Sequence, residues 1–285
     1  MLYRATGNAK PIEDIKGWKE WRTSTIGYAE SYDGVNFRIQ KDPLVKPEFK
    51  WESMGCEDPR ISKIGDTYFI FYTAVTTISG FLKVRLALAE TKDFKEIKKH
   101  GPVGPNIPSN EGYVKAGSFF PEHIGGKLAM LFTWHSDSPE SIILIAKFNN
   151  IKEFIKPSKD FWSNFLKKRK NHALISPTSK ALRGPEVGAT PIKTKKGWLL
   201  IYFGETSTKQ WTINSALHNL KNPKKILWQS KGPILKPEKL YEKKGIVDNV
   251  TFPEGAVIKD GKLFVYYGAG DKYCCLATTT PYLTN

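Results

Sequence analysis

One phrase recurs along this chain: a proline, a short polar turn, then an apolar run that ends on an aromatic residue. It runs from Pro59-Arg60-Ile61 to Phe69-Ile70-Phe71-Tyr72 and from Pro121-Glu122-His123 to Ala129-Met130-Leu131-Phe132. It returns from Pro191-Ile192-Lys193 to Leu199-Leu200-Ile201-Tyr202 and from Pro253-Glu254-Gly255 to Phe264-Val265-Tyr266-Tyr267. The prolines stand 62, 70 and 62 residues apart, and a near-constant period of that size is the mark of a repeat architecture. Met1-Leu2-Tyr3-Arg4-Ala5 matches Phe71-Tyr72-Thr73-Ala74 and reads as the tail of a fifth copy.

Within a copy, a tight turn separates two apolar runs: Ile64-Gly65-Asp66, Gly125-Gly126, Lys195-Lys196-Gly197 and Lys259-Asp260-Gly261. Glycine at such a point is a hairpin signal, because it accepts positive φ without steric cost. A third strand follows each hairpin, as in 84–89 and 141–147, and a weaker fourth in 224–228. Three or four antiparallel strands repeated five times predict an all-β fold, a five-bladed β-propeller, with 1–285 as a single domain. No Trp-Asp signature is present, and the period exceeds that of WD40 blades. One helix is expected, from Asp160 to Arg169 between blades three and four, with Phe161, Trp162 and Phe165 at helical spacing.

Forty per cent hydrophobic residues in a chain of 285 suffice for a full core. No apolar run reaches membrane-spanning length and no signal-peptide pattern opens the chain, so a cytoplasmic protein without a membrane partner is expected. Cys56, Cys274 and Cys275 suggest a reducing compartment and structural roles. No Cys/His cluster has metal-ligand spacing, and neither a metal nor another cofactor is expected. The net charge of +16 favours anionic partners at long range, with one dense run at Lys167-Lys168-Arg169-Lys170. No nucleic-acid module accompanies it, and dispersed lysines are read as a solvated face.

Propellers gather the innermost strand of each blade around a channel, so residues flanking the repeat prolines are expected to converge. They are Glu57-Asp58-Pro59-Arg60, Phe120-Pro121-Glu122, Glu186 to Pro191, and Phe252-Pro253-Glu254-Gly255. Carboxylates near one level, with Trp134, Phe203 and Tyr267 at the hairpin ends, suit a sugar: acids bond its hydroxyls and rings pack its C–H face. Paired carboxylates across a glycosidic bond are also what glycoside cleavage requires.

Five ordered segments resemble glycoside hydrolase family 130: Ala29 to Phe37, Gly55-Cys56-Glu57-Asp58-Pro59-Arg60-Ile61, Phe119 to Lys127, Gly197 to Tyr202, and Tyr266-Tyr267-Gly268-Ala269-Gly270-Asp271. The resemblance implies a five-bladed propeller that cleaves β-mannosides with inversion, as a phosphorylase or a hydrolase. It implies Asp58 as catalytic acid and Asp271 as a residue that holds the sugar. Family phosphorylases clamp the attacking phosphate with cations where this chain has Lys115-Ala116, Phe132-Thr133, Gly184 and Tyr202-Phe203-Gly204. Lys115 survives, and Arg183 is adjacent to a lost one. Glu186 and Glu254 stand where the phosphorylases carry glycine and a small residue.

These departures favour water as nucleophile, with Glu186 as first choice of base and Glu254 as second; Glu254 reads equally as a salt-bridged residue. An inverting hydrolase would set acid and base roughly 6.5–9.5 Å apart. The expected function is thus an inverting β-mannosidase acting on an oligosaccharide, with Arg60, Lys115, Arg183, Phe203 and Asp271 binding substrate. The alternatives are a β-mannosyl-oligosaccharide phosphorylase using inorganic phosphate, with Lys115, Arg183 and Arg60 as its binders, or a catalytically silent sugar-binding propeller. Family members carry a further N-terminal strand before the Leu-Tyr-Arg-Ala element, so an incomplete first blade, or its completion by Tyr282-Leu283, is expected.

Overall fold

A computed structural model describes residues 1–12, 15–108, 112–178 and 182–280. The chain is mostly β-strand with a few short helices, and it divides into two compact units, 1–116 and 117–285.

In the first unit, strand Leu2–Thr6 pairs antiparallel with Ser24–Glu30, with Leu2 opposite Tyr28. A single parallel pairing, Ser24 with Gly55, joins this group to an antiparallel meander of Gly55–Ile64, Thr67–Ile78, Phe81–Thr91 and Lys98–Pro102. Strand alternation places Ile70, Tyr72 and Ala74 on one face, where they pack with Ile26, Val45, Cys56, Ala87 and Ala89. In the second unit, one sheet orders Tyr113–Phe119, Leu128–Ser136, Ile142–Phe148 and Ala173–Ile175; the first of these strands crosses the division between units. A second sheet is built on the hairpin Trp198–Glu205 and Trp211–His218, edged by Glu186–Val187 and Ile226–Gln229. A third comprises Thr251–Lys259, Lys262–Ala269 and Tyr273–Thr279. Leu199, Ile201, Ile213, Leu217, Leu263, Val265 and Tyr267 form one buried cluster of this unit.

The strands at Pro59 and Pro253 start before the proline rather than at it, and there the ladder breaks. Proline has no N–H to donate, so it favours edges and places where a ladder is interrupted. The register shifts between Glu57 and Arg60 around Pro59, and between Pro253 and Gly255. Pro191 lies between the short pairings of Glu186–Val187 and Ile192–Lys193, and Pro121 follows the end of Tyr113–Phe119.

The expected helix forms as Phe161–Lys167, followed by a 3-10 turn, Arg169–His172. It connects two strands of one sheet, Ile142–Phe148 and Ala173–Ile175, and so does not separate two sheets. Gly65, Gly125, Gly126 and Gly261 take the positive φ their turns require. Gly197 is needed for space instead: a Cβ there would lie 2.4 Å from the His218 carbonyl oxygen. Tyr282 and Leu283 lie outside the described residues, so the expected completion of the first blade is not addressed.

A second repeat, missed in the sequence, precedes the strands Gly55–Ile64 and Thr251–Lys259. Lys46-Pro47-Glu48-Phe49-Lys50-Trp51-Glu52 matches Lys236-Pro237-Glu238-Lys239-Leu240-Tyr241-Glu242. Each forms a short helical turn that buries its last glutamate. Glu52 accepts from the Glu48 backbone N–H (3.0 Å) and the Tyr72 hydroxyl (2.8 Å); Glu242 accepts from the Glu238 N–H (2.7 Å) and the Tyr267 hydroxyl (2.7 Å). In the first unit Lys99 Nζ also reaches Glu52, at 2.7 Å. Burying a carboxylate costs heavily unless it is paired and hydrogen-bonded, and both copies meet that condition.

Candidate active site

In the first unit the Glu-Asp-Pro-Arg motif lies on strand Gly55–Ile64, at the ladder break described above. Asp58 sits in the break with φ of 48°, a conformation uncommon outside glycine and costing of order 1–3 kcal/mol. Buried Arg60 stabilises it by donating Nη1–H to the Asp58 carbonyl oxygen at 2.8 Å. Arg4, from the strand Leu2–Thr6, spans both acids: Nη2 is 3.0 Å from Glu57 Oε1 and Nη1 is 3.4 Å from Asp58 Oδ1. Its Nε donates to Ser24 Oγ, and Ser24 in turn donates to Glu57 Oε1.

The two carboxyls titrate as a coupled pair with opposite tendencies. Burial pushes Asp58 up, but the nearby charges of Arg4, Arg60 and Lys115 prevail and hold it below the ordinary carboxylate range. Burial also pushes Glu57 up; Arg4 opposes this, the Asp58 charge adds to it, and Glu57 ends above its ordinary value. Arg4, Arg60 and Lys115 thus all act on Asp58, which, with 27% of its side chain exposed, is the more accessible of the two acids. Lys115 also lies over the Tyr113 ring, 5.2 Å from its centre.

In the second unit Glu186 is buried opposite Phe203, with Oε2 accepting the Ser136 hydroxyl at 2.5 Å. The next residue, Val187, donates its N–H to Thr133 Oγ1 at 2.9 Å. Strand pairing makes Glu186 the repeat counterpart of Glu57: Glu57 faces Thr73 as Glu186 faces Phe203 and Phe252 faces Gly268. Each glutamate receives a serine hydroxyl. Glu254 falls in its strand's ladder break, as Asp58 does in its own, with one carboxylate oxygen buried.

Arg183 stacks over Trp211 at 5.8 Å and approaches Glu205 at 3.5 Å. Phe203 is 3% exposed and packs on Phe252 (4.8 Å between ring centres) and Trp211 (5.2 Å). Tyr267 turns its hydroxyl to Glu242, and Trp134 lies under the Arg169 guanidinium at 4.5 Å. These contacts use the rings in packing. Asp271 is exposed in the turn after strand Lys262–Ala269, with φ of 52°. Glu122 pairs with Lys193 at 2.6 Å.

Sequence reasoning missed Arg4 and the serines. Arg4 left a signal: it occupies the repeat position held by Thr73, Phe203 and Gly268, where a lone cation breaks the pattern. Among the described residues no three His, Cys, Asp or Glu side chains gather as a metal site would require. No helix of the described residues is long and apolar enough to cross a membrane.

Residues 16–282 match the profile of glycoside hydrolase family 130, described as beta-1,4-mannooligosaccharide phosphorylase. A 1,2-beta-oligomannan phosphorylase of Thermoanaerobacter sp. (strain X514) is 34% identical over 284 residues, covering 95% of this chain and 82% of the relative. The solved beta-1,2-mannobiose phosphorylase of Listeria innocua, complexed with beta-1,2-mannobiose, superposes with a TM-score of 0.72 at 30% identity, over 91% of this chain and 67% of its own. Another solved structure comes from work on family members that are glycoside hydrolases targeting beta-1,2 mannosidic linkages in Candida mannan. It superposes with a TM-score of 0.73 at 25% identity, over 100% of this chain and 81% of its own. The named sequence relatives are phosphorylases, so the expectation of hydrolysis draws no support from them. By profile and by identity, the chain belongs to glycoside hydrolase family 130.

Proposed function

We propose that this chain cleaves the β-mannosidic bond of short mannosides with inversion, passing the mannosyl group to inorganic phosphate. The observation that carries the reading is the cluster of cations acting on Asp58: Arg4, Arg60 and Lys115. A phosphate dianion needs several charge-assisted donors, and this cluster offers guanidinium and ammonium groups together. Asp58 serves as general acid toward the leaving oxygen. Those same cations hold it ionised when nothing is bound. A dianion that engages them removes their support for the Asp58 charge and adds its own repulsion, so Asp58 takes up its proton as phosphate arrives. The acid is thereby loaded when the nucleophile is in place. Names of relatives at 34% identity point the same way, and to β-1,2-linked mannosides as the first substrates to try. We include in the proposal that the strand groups are five propeller blades, on the support of the repeat period and the family likeness.

Hydrolysis is the second reading, favoured by Glu186, a buried carboxylate hydrogen-bonded to Ser136 that suits a general base. Incubating β-1,2-mannobiose with and without phosphate separates them. Mannose 1-phosphate formed only with phosphate supports phosphorolysis. Free mannose formed equally in both overturns it in favour of hydrolysis, and binding without product leaves a sugar-binding role.

A further inference from the structure

The basic run that the sequence singled out leads, in the second unit, to a cleft of about 300 Å³ lined by none of the residues assigned to β-mannoside cleavage. It lies between strand Ile142–Phe148, helix Phe161–Lys167, the turn Arg169–His172 and the segment Asn222-Pro223-Lys224. Its floor is flat and aromatic: Phe161 stacks on Phe165 (6.1 Å, 20° between planes), and His172 stacks on the same ring (4.2 Å, 14°). Ile145, 4% exposed, closes the base, and the Pro223 carbonyl is fixed by His218 Nδ1–H.

The polar side chains of the cleft are Lys147, Lys224, His172 and Asn222, and among the described residues no acidic side chain lines it. Lysines elsewhere find carboxylates, as in Lys98–Glu90 at 3.0 Å, Lys193–Glu122 at 2.6 Å and Lys244–Asp248 at 2.6 Å. Here they face one another instead. Burial, then Lys224 and Lys127, lowers the pKa of Lys147; burial, then Lys224 and Lys168, lowers that of His172. Among the described residues, Lys224 Nζ meets an acceptor at the Asn171 carbonyl, at 3.2 Å. An anion would neutralise this repulsion, and a flat body attached to it would cover the rings below.

We propose that the cleft binds a small phosphate monoester with a flat, apolar face, its phosphate between Lys147, Lys224 and His172 and its body on Phe161 and Phe165. Two ammonium point charges and an imidazole N–H approaching from different sides suit a tetrahedral dianion, which accepts hydrogen bonds from several directions. The inference does not depend on the nucleophile used in mannoside cleavage.

Phenyl phosphate titrated into the whole protein by calorimetry is the test, with inorganic phosphate as comparator. The double variant Lys147→Glu/Lys224→Glu changes exposed side chains, so its unfolding midpoint should match the parent's. It should lose at least about tenfold in phenyl phosphate affinity, since charge-assisted bonds are lost and repulsion is added. Phe165→Leu should weaken phenyl phosphate more than inorganic phosphate. Equal phenyl phosphate affinity in the parent and the double variant, or no heat at millimolar ligand, overturns the proposal.

Discussion

Replacing Arg4 by methionine keeps most of the side chain's volume and removes the cation that spans Glu57 and Asp58. Breaking a buried ion pair costs about 3–5 kcal/mol, because the abandoned partner stays desolvated. Here Arg4 is 32% exposed and the Asp58 contact is long at 3.4 Å, so solvent screening reduces the figure. About 1.5–3 kcal/mol at pH 7 is the expected loss, read from urea midpoints with an unchanged slope. The pH dependence gives the sharper check. Arg4 lowers the pKa of both carboxyls, so without it both move up and two facing charges must be held at neutral pH. A group whose folded pKa is raised destabilises the fold above that pKa and ceases to do so once protonated. The deficit of Arg4→Met should therefore shrink as pH falls through the carboxylate range. A deficit of equal size at pH 7 and at about pH 4.5 would refute the electrostatic account and leave only lost packing.

Asp58→Asn should lower kcat by about 10²–10⁴ in a protein that still folds cooperatively; full activity would exclude it as the acid. Glu52→Gln should cost more stability than Glu242→Gln, by about 1–2 kcal/mol, since only Glu52 leaves a buried lysine partly unpaired; equal losses would count against the Lys99 contact. Gly197→Ala should destabilise by about 1–3 kcal/mol, because the new methyl meets the backbone at His218; an unchanged melting temperature would show that the strands part freely there.

The all-β fold and its strand groups were legible because hairpin glycines and two-residue alternation are local signals. The role of the prolines was not. A sequence shows that Pro59 and Pro253 recur, but whether proline opens a strand or interrupts one depends on which partner N–H groups remain, as the shifted registers at Glu57/Arg60 and Pro253/Gly255 show. The Asp58 position was legible from its motif, whereas its protonation was not, being set by Arg4 from a strand 54 residues away. Phe203 and Tyr267 show the other limit. An aromatic at a hairpin end reads equally as a sugar platform or as packing, and Phe252 with Trp211, and Glu242, occupy these rings.

Cys56 is fully buried beside this motif, its thiol donating to Glu52 at 3.3 Å, and burial followed by the Glu52 charge pushes its pKa well up. The thiolate is the nucleophile that attacks thiol reagents, so Cys56 is inert until the first unit opens, whereas Cys274 is exposed and Cys275 partly so. A slow labelling phase assigned to Cys56 then acts as a clock built into the chain. Its rate reports how often the segment next to Glu57 and Asp58 comes apart under native conditions, a local opening that global melting does not resolve.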